Sequence, residues 1–188
     1  MATESLNPFS GYGTIVYGQR FVGRQEDVKV IRDRVLGDEY SNIAITGLPK
    51  IGKSSLVWQS LVKDRETLVE RKTIVVYYQL GSTRTNSVFF KKLVTKTHDE
   101  FLNHFDSDNN YCTYALHIVE KLRLCCDIDE VESCVEQYFR KVRKWGYKII
   151  IILDEFDKAD MAKDGNPAKA FNDMLSDEHY YIIVILEI

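Results

Sequence analysis

The sequence contains 188 residues, which suits a single domain. Hydrophobic residues make up 45% and charged residues 28%, a composition typical of globular proteins and unlike disordered or fibrous chains. The net charge of −3, from 25 basic and 28 acidic residues, provides no basic surplus, so DNA binding is neither indicated nor excluded by composition.

Targeting signals are not evident in the sequence. The N-terminal segment has neither the basic flank nor the apolar stretch of a secretory signal. The longest apolar runs, near 149–153 and 181–186, are far shorter than the roughly 18 residues that a membrane helix needs. We therefore expect a cytoplasmic protein without a membrane partner.

The first half of the chain predicts an arm, two helices and two strands. Residues 1–20 are rich in Gly, Asn, Pro, Ser and Tyr and predict an irregular arm that lies against the domain. Residues 25–36 have the apolar periodicity of a helix. The apolar run at 43–45 predicts a buried strand, followed by a Gly-rich loop and a helix over about 53–63. Residues 73–80 are β-branched and aromatic, which favours a second strand and assigns Tyr77 and Tyr78 to the core.

The second half begins with a stretch, 82–146, that is long for one connection between strands. Helical patterns over about 86–105, 111–125 and 130–145 indicate that it contains an inserted helical hairpin. A buried strand over 148–154, a helix over about 167–175 and a last strand over 180–188 follow. Strands that alternate with helices predict the α/β class, with a mainly parallel sheet between two layers of helices.

Residues 47–54 match the pattern G-x-x-x-x-G-K-[ST], the P-loop or Walker A motif. Its glycines let backbone N–H groups approach phosphate oxygens, and the helix that follows presents further N–H groups to the anion. Lys53 would reach the β- and γ-phosphates, and the Ser54 hydroxyl would bind Mg²⁺. The predicted ATP or ADP contacts in this segment are Gly47, Leu48, Pro49, Lys50, Ile51, Gly52, Lys53, Ser54 and Ser55.

The second motif is an apolar strand, 149–153, that ends in two acidic residues, as in a Walker B motif. The carboxyl ends of parallel strands are where ligands bind in open α/β sheets. Asp154 would hold Mg²⁺ directly or through water, and Glu155 would act as general base toward the attacking water. The two motifs predict a three-layer P-loop NTPase fold in which Glu155 and Lys53 are catalytic.

A third motif, Phe21-Val22-Gly23-Arg24, precedes the first helix. Together with the P-loop and Asp154-Glu155, it resembles the STAND-type and origin-recognition-like ATPases of the AAA+ group. The resemblance implies that residues 1–24 form an arm on the adenine side of a nucleotide-binding domain, 25–188. In that arrangement Phe21, Val22 and Gly23 lie at the base, and Arg24 braces either the ribose or the protein itself through a salt bridge.

The resemblance also implies the sheet order 5-1-4-3-2. Its pattern continues with a polar sensor residue, a fifth strand and a helical lid, whereas this sequence ends at Ile188. We therefore expect a domain truncated after the fourth core strand, with downstream sensor and lid domains missing. Its first strand would be an open edge that favours a homo-oligomer, and its hydrolysis of ATP would be slow.

The leading functional hypothesis is an ATP-binding and ATP-hydrolysing switch of the STAND type, in which ATP or ADP sets the state of attached domains. One alternative is an origin-recognition-like ATPase that loads onto DNA, and another is a nucleotide-holding scaffold without turnover. The sequence contains neither the Asn-Lys-x-Asp motif of GTPases nor the Leu-Ser-Gly-Gly signature of transporter ATPases.

Overall fold

The computed structural model describes residues 14–37, 42–81, 85–103, 110–157 and 181–185. The helix predicted over 167–175 and the first part of the arm lie outside these ranges. Among the described residues, no helix is both long and apolar enough to cross a membrane. The helices and strands are α1 (Gln25–Leu36), β1 (Ile43–Ile45), α2 (Lys53–Ser60), α3 (Arg65–Glu70), β2 (Thr73–Gln79), α4 (Asn86–Leu102), α5 (Asn110–Leu124), α6 (Ile128–Lys144), β3 (Lys148–Asp154) and β4 (Tyr181–Ile185).

The four strands form one parallel sheet in the order β1-β4-β3-β2. This order agrees with the resemblance for the strands that the structure describes. In the register, Gln79 of β2 lies beside Asp154 of β3, and Ile45 of β1 lies beside Ile185 of β4. Because all strands run in one direction, their carboxyl ends meet at the same edge of the sheet. The P-loop, which follows β1, and Asp154, which ends β3, are therefore brought to that edge.

Two separate hydrophobic cores cover the two faces of the sheet, which confirms the α/β fold with helices in both outer layers. Helices α4, α5 and α6 pack over β2 and β3 on one face, against Ile149, Ile151 and Leu153. Helices α1 and α2 cover the other face, against Ile150 and Ile152. The alternation along β3 explains why its sequence is apolar at every position from Ile149 to Leu153, since both of its faces are buried.

Several helix ends follow from local side-chain chemistry. The Thr85 hydroxyl accepts a hydrogen bond from Val88 N (3.3 Å) at the start of α4, and the Asp127 carboxylate accepts one from Asp129 N (2.8 Å) at the start of α6. Gly146 ends α6 at a φ of +83°, as expected from its position after the last apolar residue. These residues mark the start of α4 and both ends of α6, two of the helices that pack on β2 and β3.

Two details differ from the sequence predictions. The helix predicted over 53–63 ends at Ser60, and a 3₁₀ turn, Val62–Asp64, leads into the unpredicted helix α3. The helix ends where Leu61 leaves helical geometry, with φ −133° and ψ −50°. The strand β1 is only partly buried among the described residues: Ile43 is buried, Ala44 is exposed and Ile45 is half-buried. Among the described strands β1 pairs with β4 alone, and association through its other edge stays a prediction.

Candidate functional site

The P-loop connects β1 to α2 through backbone conformations that favour glycine. Gly47 has a φ of +151° and Gly52 a φ of +89°, and a Cβ on Gly47 would lie 2.5 Å from Ile51 Cδ1. The first regular bond of α2 runs from Leu56 N to Gly52 O (2.9 Å). The N–H groups of residues 53–55 precede that bond and point out of the helix end. The segment therefore combines a tight turn with a helix N-terminus, an arrangement that binds anions.

Lys53 lies inside this loop and is only 4% exposed. Its ammonium donates hydrogen bonds to Gly47 O and Leu48 O, each at 2.8 Å. A buried ammonium is stable only when strong acceptors surround it, and here the loop itself supplies two. The positive charge is thereby held at the centre of the turn, while the side chains of Leu48, Pro49, Lys50 and Ile51 lie on its exposed outer side.

Asp154 is the last residue of β3 and Glu155 follows it, at the same edge of the sheet. Asp154 is 8% exposed, and its Oδ1 accepts a hydrogen bond from Glu155 N (2.9 Å). Glu155 is half-buried and has a φ of +57°, a left-handed conformation that is uncommon for residues other than glycine. Such conformations cost on the order of 1–3 kcal/mol and often occur at functional sites.

Tyr77 of β2 joins the two motifs. Its hydroxyl donates a hydrogen bond to Asp154 Oδ2 and lies near the Ser54 side chain. Burial, and then the hydrogen bond to Asp154 and its negative charge, raise the pKa of Tyr77 above its usual range. The phenol is therefore protonated at neutral pH. Its position also indicates that the P-loop and the end of β3 lie within side-chain reach of each other.

Sequence reasoning placed Tyr77 in the hydrophobic core and missed its polar contact. The alternation of β2 sends Tyr78 toward α4 and Tyr77 toward α2, and only the strand order shows that the α2 side carries the P-loop. One feature of the sequence could have indicated this contact: Tyr77 lies two residues before the end of β2, the strand that neighbours β3. That signal becomes informative once the register Gln79 beside Asp154 is known.

The arm docks along α2. Val16 N donates to Ser55 Oγ (2.9 Å), Gly18 N donates to Gln59 Oε1 (2.8 Å), and the Tyr17 and Trp58 rings pack with centroids 5.9 Å apart. The side chain of Ser55 therefore accepts a hydrogen bond from the arm, and its backbone N–H is the group that can face an anion at the helix end.

The segment 21–24 leads from this arm into α1. Phe21 packs against the core below α1 and α2, whereas Val22 is 87% exposed. Gly23 has a φ of +76° with open space where a Cβ would lie. Arg24 Nε pairs with Asp27 Oδ2 at 2.8 Å, the salt bridge within the protein that the resemblance left open. Both partners of this pair are exposed, so it adds little to stability.

A strand that runs through a Gly-rich loop into a helix, with an acidic pair at the end of another parallel strand of the same sheet, defines a P-loop NTPase domain. Residues 21–186 match the family described as an ATPase domain predominantly from Archaea. The chain belongs to this family. No curated protein matches the sequence.

Solved structures of similar fold include the ORC1 protein of Aeropyrum pernix in complex with DNA (TM-score 0.60, 14% identity, 89% of this chain and 40% of that chain). The ORC2 protein of the same organism, as ADPNP–ADP complexes, has a TM-score of 0.56 and 11% identity over 89% of this chain and 41% of that chain. A Walker-type ATPase of Pyrococcus abyssi has a TM-score of 0.53 and 16% identity over 88% of this chain and 45% of that chain. The sequence therefore spans less than half the length of these structures, and the likeness shows the fold.

Proposed function

We propose that this domain binds ATP and Mg²⁺ at the edge formed by the P-loop and the end of β3, and that it acts as a nucleotide-dependent switch. The observation that carries the proposal is the position of the Tyr77 hydroxyl, which is hydrogen-bonded to Asp154 and lies near Ser54, because it places the two motifs close together. Membership of an ATPase family supports the choice of nucleotide.

The phosphates would be held by the backbone and by one side chain. The N–H groups of residues 53–55 offer hydrogen bonds at the start of α2, where the helix dipole also favours an anion. Lys53 already projects into the turn and would exchange the carbonyl oxygens of Gly47 and Leu48 for phosphate oxygens. Hydrogen bonds from a charged group are worth about 1.5–3 kcal/mol each.

The residues at the centre of the site fit a magnesium ion. Mg²⁺ prefers hard oxygen ligands and takes few of them from the protein when phosphates are present. The Ser54 hydroxyl and the Asp154 carboxylate are such oxygens, and both lie next to the Tyr77 hydroxyl. The bound ion would neutralise charge that develops on the phosphates.

Glu155 is proposed as the residue that orients and deprotonates the attacking water. It follows Asp154 directly, and its left-handed backbone sets it apart from the extended strand before it. On the adenine side, the exposed Val22 next to Gly23 would contact the base. The salt bridge of Arg24 with Asp27 favours a role in bracing the start of α1 rather than the ribose.

Two uses of the switch are compatible with this site. In a STAND-type protein, ATP or ADP would set the state of attached domains. In an origin-recognition-like protein, ATP would control loading onto DNA, and the likeness of the fold to ORC1 and ORC2 favours testing this second use. Fluorescence anisotropy with labelled duplex DNA, with and without ATP, separates them, because only the second use predicts ATP-dependent DNA binding.

The central experiment is calorimetric titration of ATP into the native chain and into Lys53→Ala. We expect the substitution to weaken ATP binding by roughly ten- to a hundredfold, since it removes charged hydrogen bonds to the phosphates. Lys63→Ala is the matched control, because Lys63 is an exposed lysine beyond the end of α2. Equal affinity of Lys53→Ala and the native chain would contradict the proposed site.

A further inference from the structure

We propose that Tyr77 is a positioning residue for magnesium, whose hydroxyl orients the Asp154 carboxylate toward the ion. The inference rests on the proposed function and adds to it a residue that belongs to neither motif. It concerns a residue that contacts a proposed metal ligand and is not itself a ligand. Hydrogen bonds of this kind orient metal-binding carboxylates, and losing one typically lowers metal affinity about 10- to 100-fold.

The contacts of Asp154 are the first argument. Its Oδ1 accepts a hydrogen bond from Glu155 N (2.9 Å), a bond within the same turn of the backbone. Its Oδ2 accepts from the Tyr77 hydroxyl, which comes from a different strand. The two bonds together fix the rotation of a carboxylate that is 8% exposed. Without the phenol, one oxygen of this buried group would lose the partner that sets its direction.

The support of Tyr77 itself is the second argument. Its ring packs edge-on against Trp58 of α2, with centroids 5.7 Å apart. Its backbone lies in β2 beside Ile152 of β3, and its carbonyl oxygen accepts a hydrogen bond from Lys96 Nζ (3.3 Å). Two elements therefore fix the position of the hydroxyl: β2, which holds the backbone of Tyr77, and α2, which contacts its ring. A ring fixed in this way can set the direction of the groups that it contacts.

The neighbouring tyrosine provides a matched control. Tyr78 is buried on the other face of the sheet, where its ring packs against Phe89 of α4 with centroids 5.4 Å apart. Tyr77→Phe and Tyr78→Phe each remove one hydroxyl from adjacent positions of the same strand. Only the first substitution removes a contact of the proposed metal ligands, so the pair separates an effect on the site from an effect on β2.

The test is the gain in ATP affinity that Mg²⁺ provides. Dissociation constants for ATP are measured by calorimetry in EDTA and in excess Mg²⁺, for the native chain, Tyr77→Phe and Tyr78→Phe. We expect the gain to be about tenfold smaller in Tyr77→Phe, with the metal-free affinity unchanged. The gain in Tyr78→Phe should equal that of the native chain. The metal-free affinity also reports whether the site of each variant is folded.

Three outcomes overturn the inference. A native gain in Tyr77→Phe would show that the hydroxyl does not orient the carboxylate, and a larger gain would show that it competes with the ion. An equal loss of affinity in EDTA and in Mg²⁺ would show that Tyr77 supports the P-loop alone. Failure of the native chain to bind ATP in either buffer would refute the proposed function, a result distinct from these three.

Discussion

At the scale of single residues, the candidate site contains features that do not favour stability. Lys53 buries an ammonium whose acceptors are two carbonyl oxygens, and Glu155 adopts a left-handed backbone. Buried charges and strained conformations are costly in a folded protein unless the surroundings compensate for them. Here both lie beside the carboxyl edge of the sheet, where a polyanion and its metal would meet them. Both residues to which we assign catalytic roles thus combine burial or an uncommon backbone conformation with a place at this edge.

Glu155→Gln is expected to retain ATP binding and to lower any ATP hydrolysis by about 10²–10⁴-fold, because the amide cannot accept a proton from water. The hydrolysis rate is measured as phosphate release at saturating Mg²⁺ and ATP, and slow turnover by the native chain remains a prediction of the sequence. Glu66→Gln, an exposed position on α3, is the control. An unchanged rate in Glu155→Gln would remove Glu155 from the mechanism.

His98 of α4 makes stability depend on pH. It is 3% exposed, and among the described residues neither ring nitrogen has a hydrogen-bond partner. Burial lowers the pKa of His98; the nearby Asp99 opposes this shift, and Arg123 adds to it. The imidazole is therefore neutral in the folded chain, whereas the unfolded chain takes up a proton as the pH falls through about 6.5.

The free energy of unfolding should therefore be fully retained above about pH 6.5 and fall on acidification, by at most about 1.4 kcal/mol per pH unit from this group. Urea unfolding between pH 7.5 and 5.5 measures the slope, with the buffer range chosen about the ordinary pKa of histidine. In His98→Leu the slope should be smaller, and in His117→Gln, which changes an exposed histidine, it should match the native chain. Equal slopes in all three would contradict this role of His98.

At the scale of elements, hydrophobic periodicity predicted the helices and strands whose apolar residues are buried. The bounds of α1 and β3 match the structure because each has an uninterrupted apolar pattern that packs on a core. The break after Ser60 was missed, since Leu61 leaves helical geometry (φ −133°, ψ −50°) in the middle of an apolar run. The roles of the motif residues stay predictions, but these residues were selected from spacing alone. Tyr77 was not, because its role depends on strand order, which no local pattern encodes.

The layer formed by α4, α5 and α6 should stabilise the domain independently of the site. Leu122 of α5 is 1% exposed in the core against β2 and β3, and Leu122→Ala should lower the free energy of unfolding by about 2–5 kcal/mol. Leu124, two residues later, is 82% exposed, so Leu124→Ala should change it by less than about 0.5 kcal/mol. Chemical denaturation provides both values. A small effect at Leu122 would show that the helical layer is loosely packed.

At the scale of the whole molecule, the parallel sheet is what turns two distant motifs into one site. The P-loop and Asp154 are separated by about a hundred residues, yet both follow the carboxyl ends of strands in the order β1-β4-β3-β2. The helical layer on one face and the helices α1 and α2 on the other hold that edge in place. The arm adds hydrogen bonds to Ser55 and Gln59 of α2 and thereby reaches the site from outside the sheet.

The most direct test of this account is a crystal structure of the chain with Mn²⁺ and a non-hydrolysable ATP analogue, with the metal located by its anomalous signal. We expect the triphosphate along residues 47–55 and the manganese peak between the Ser54 hydroxyl and the Asp154 carboxylate. A nucleotide bound elsewhere, or a metal peak that approaches neither residue, would contradict the central claim that the loop and the end of β3 form one site.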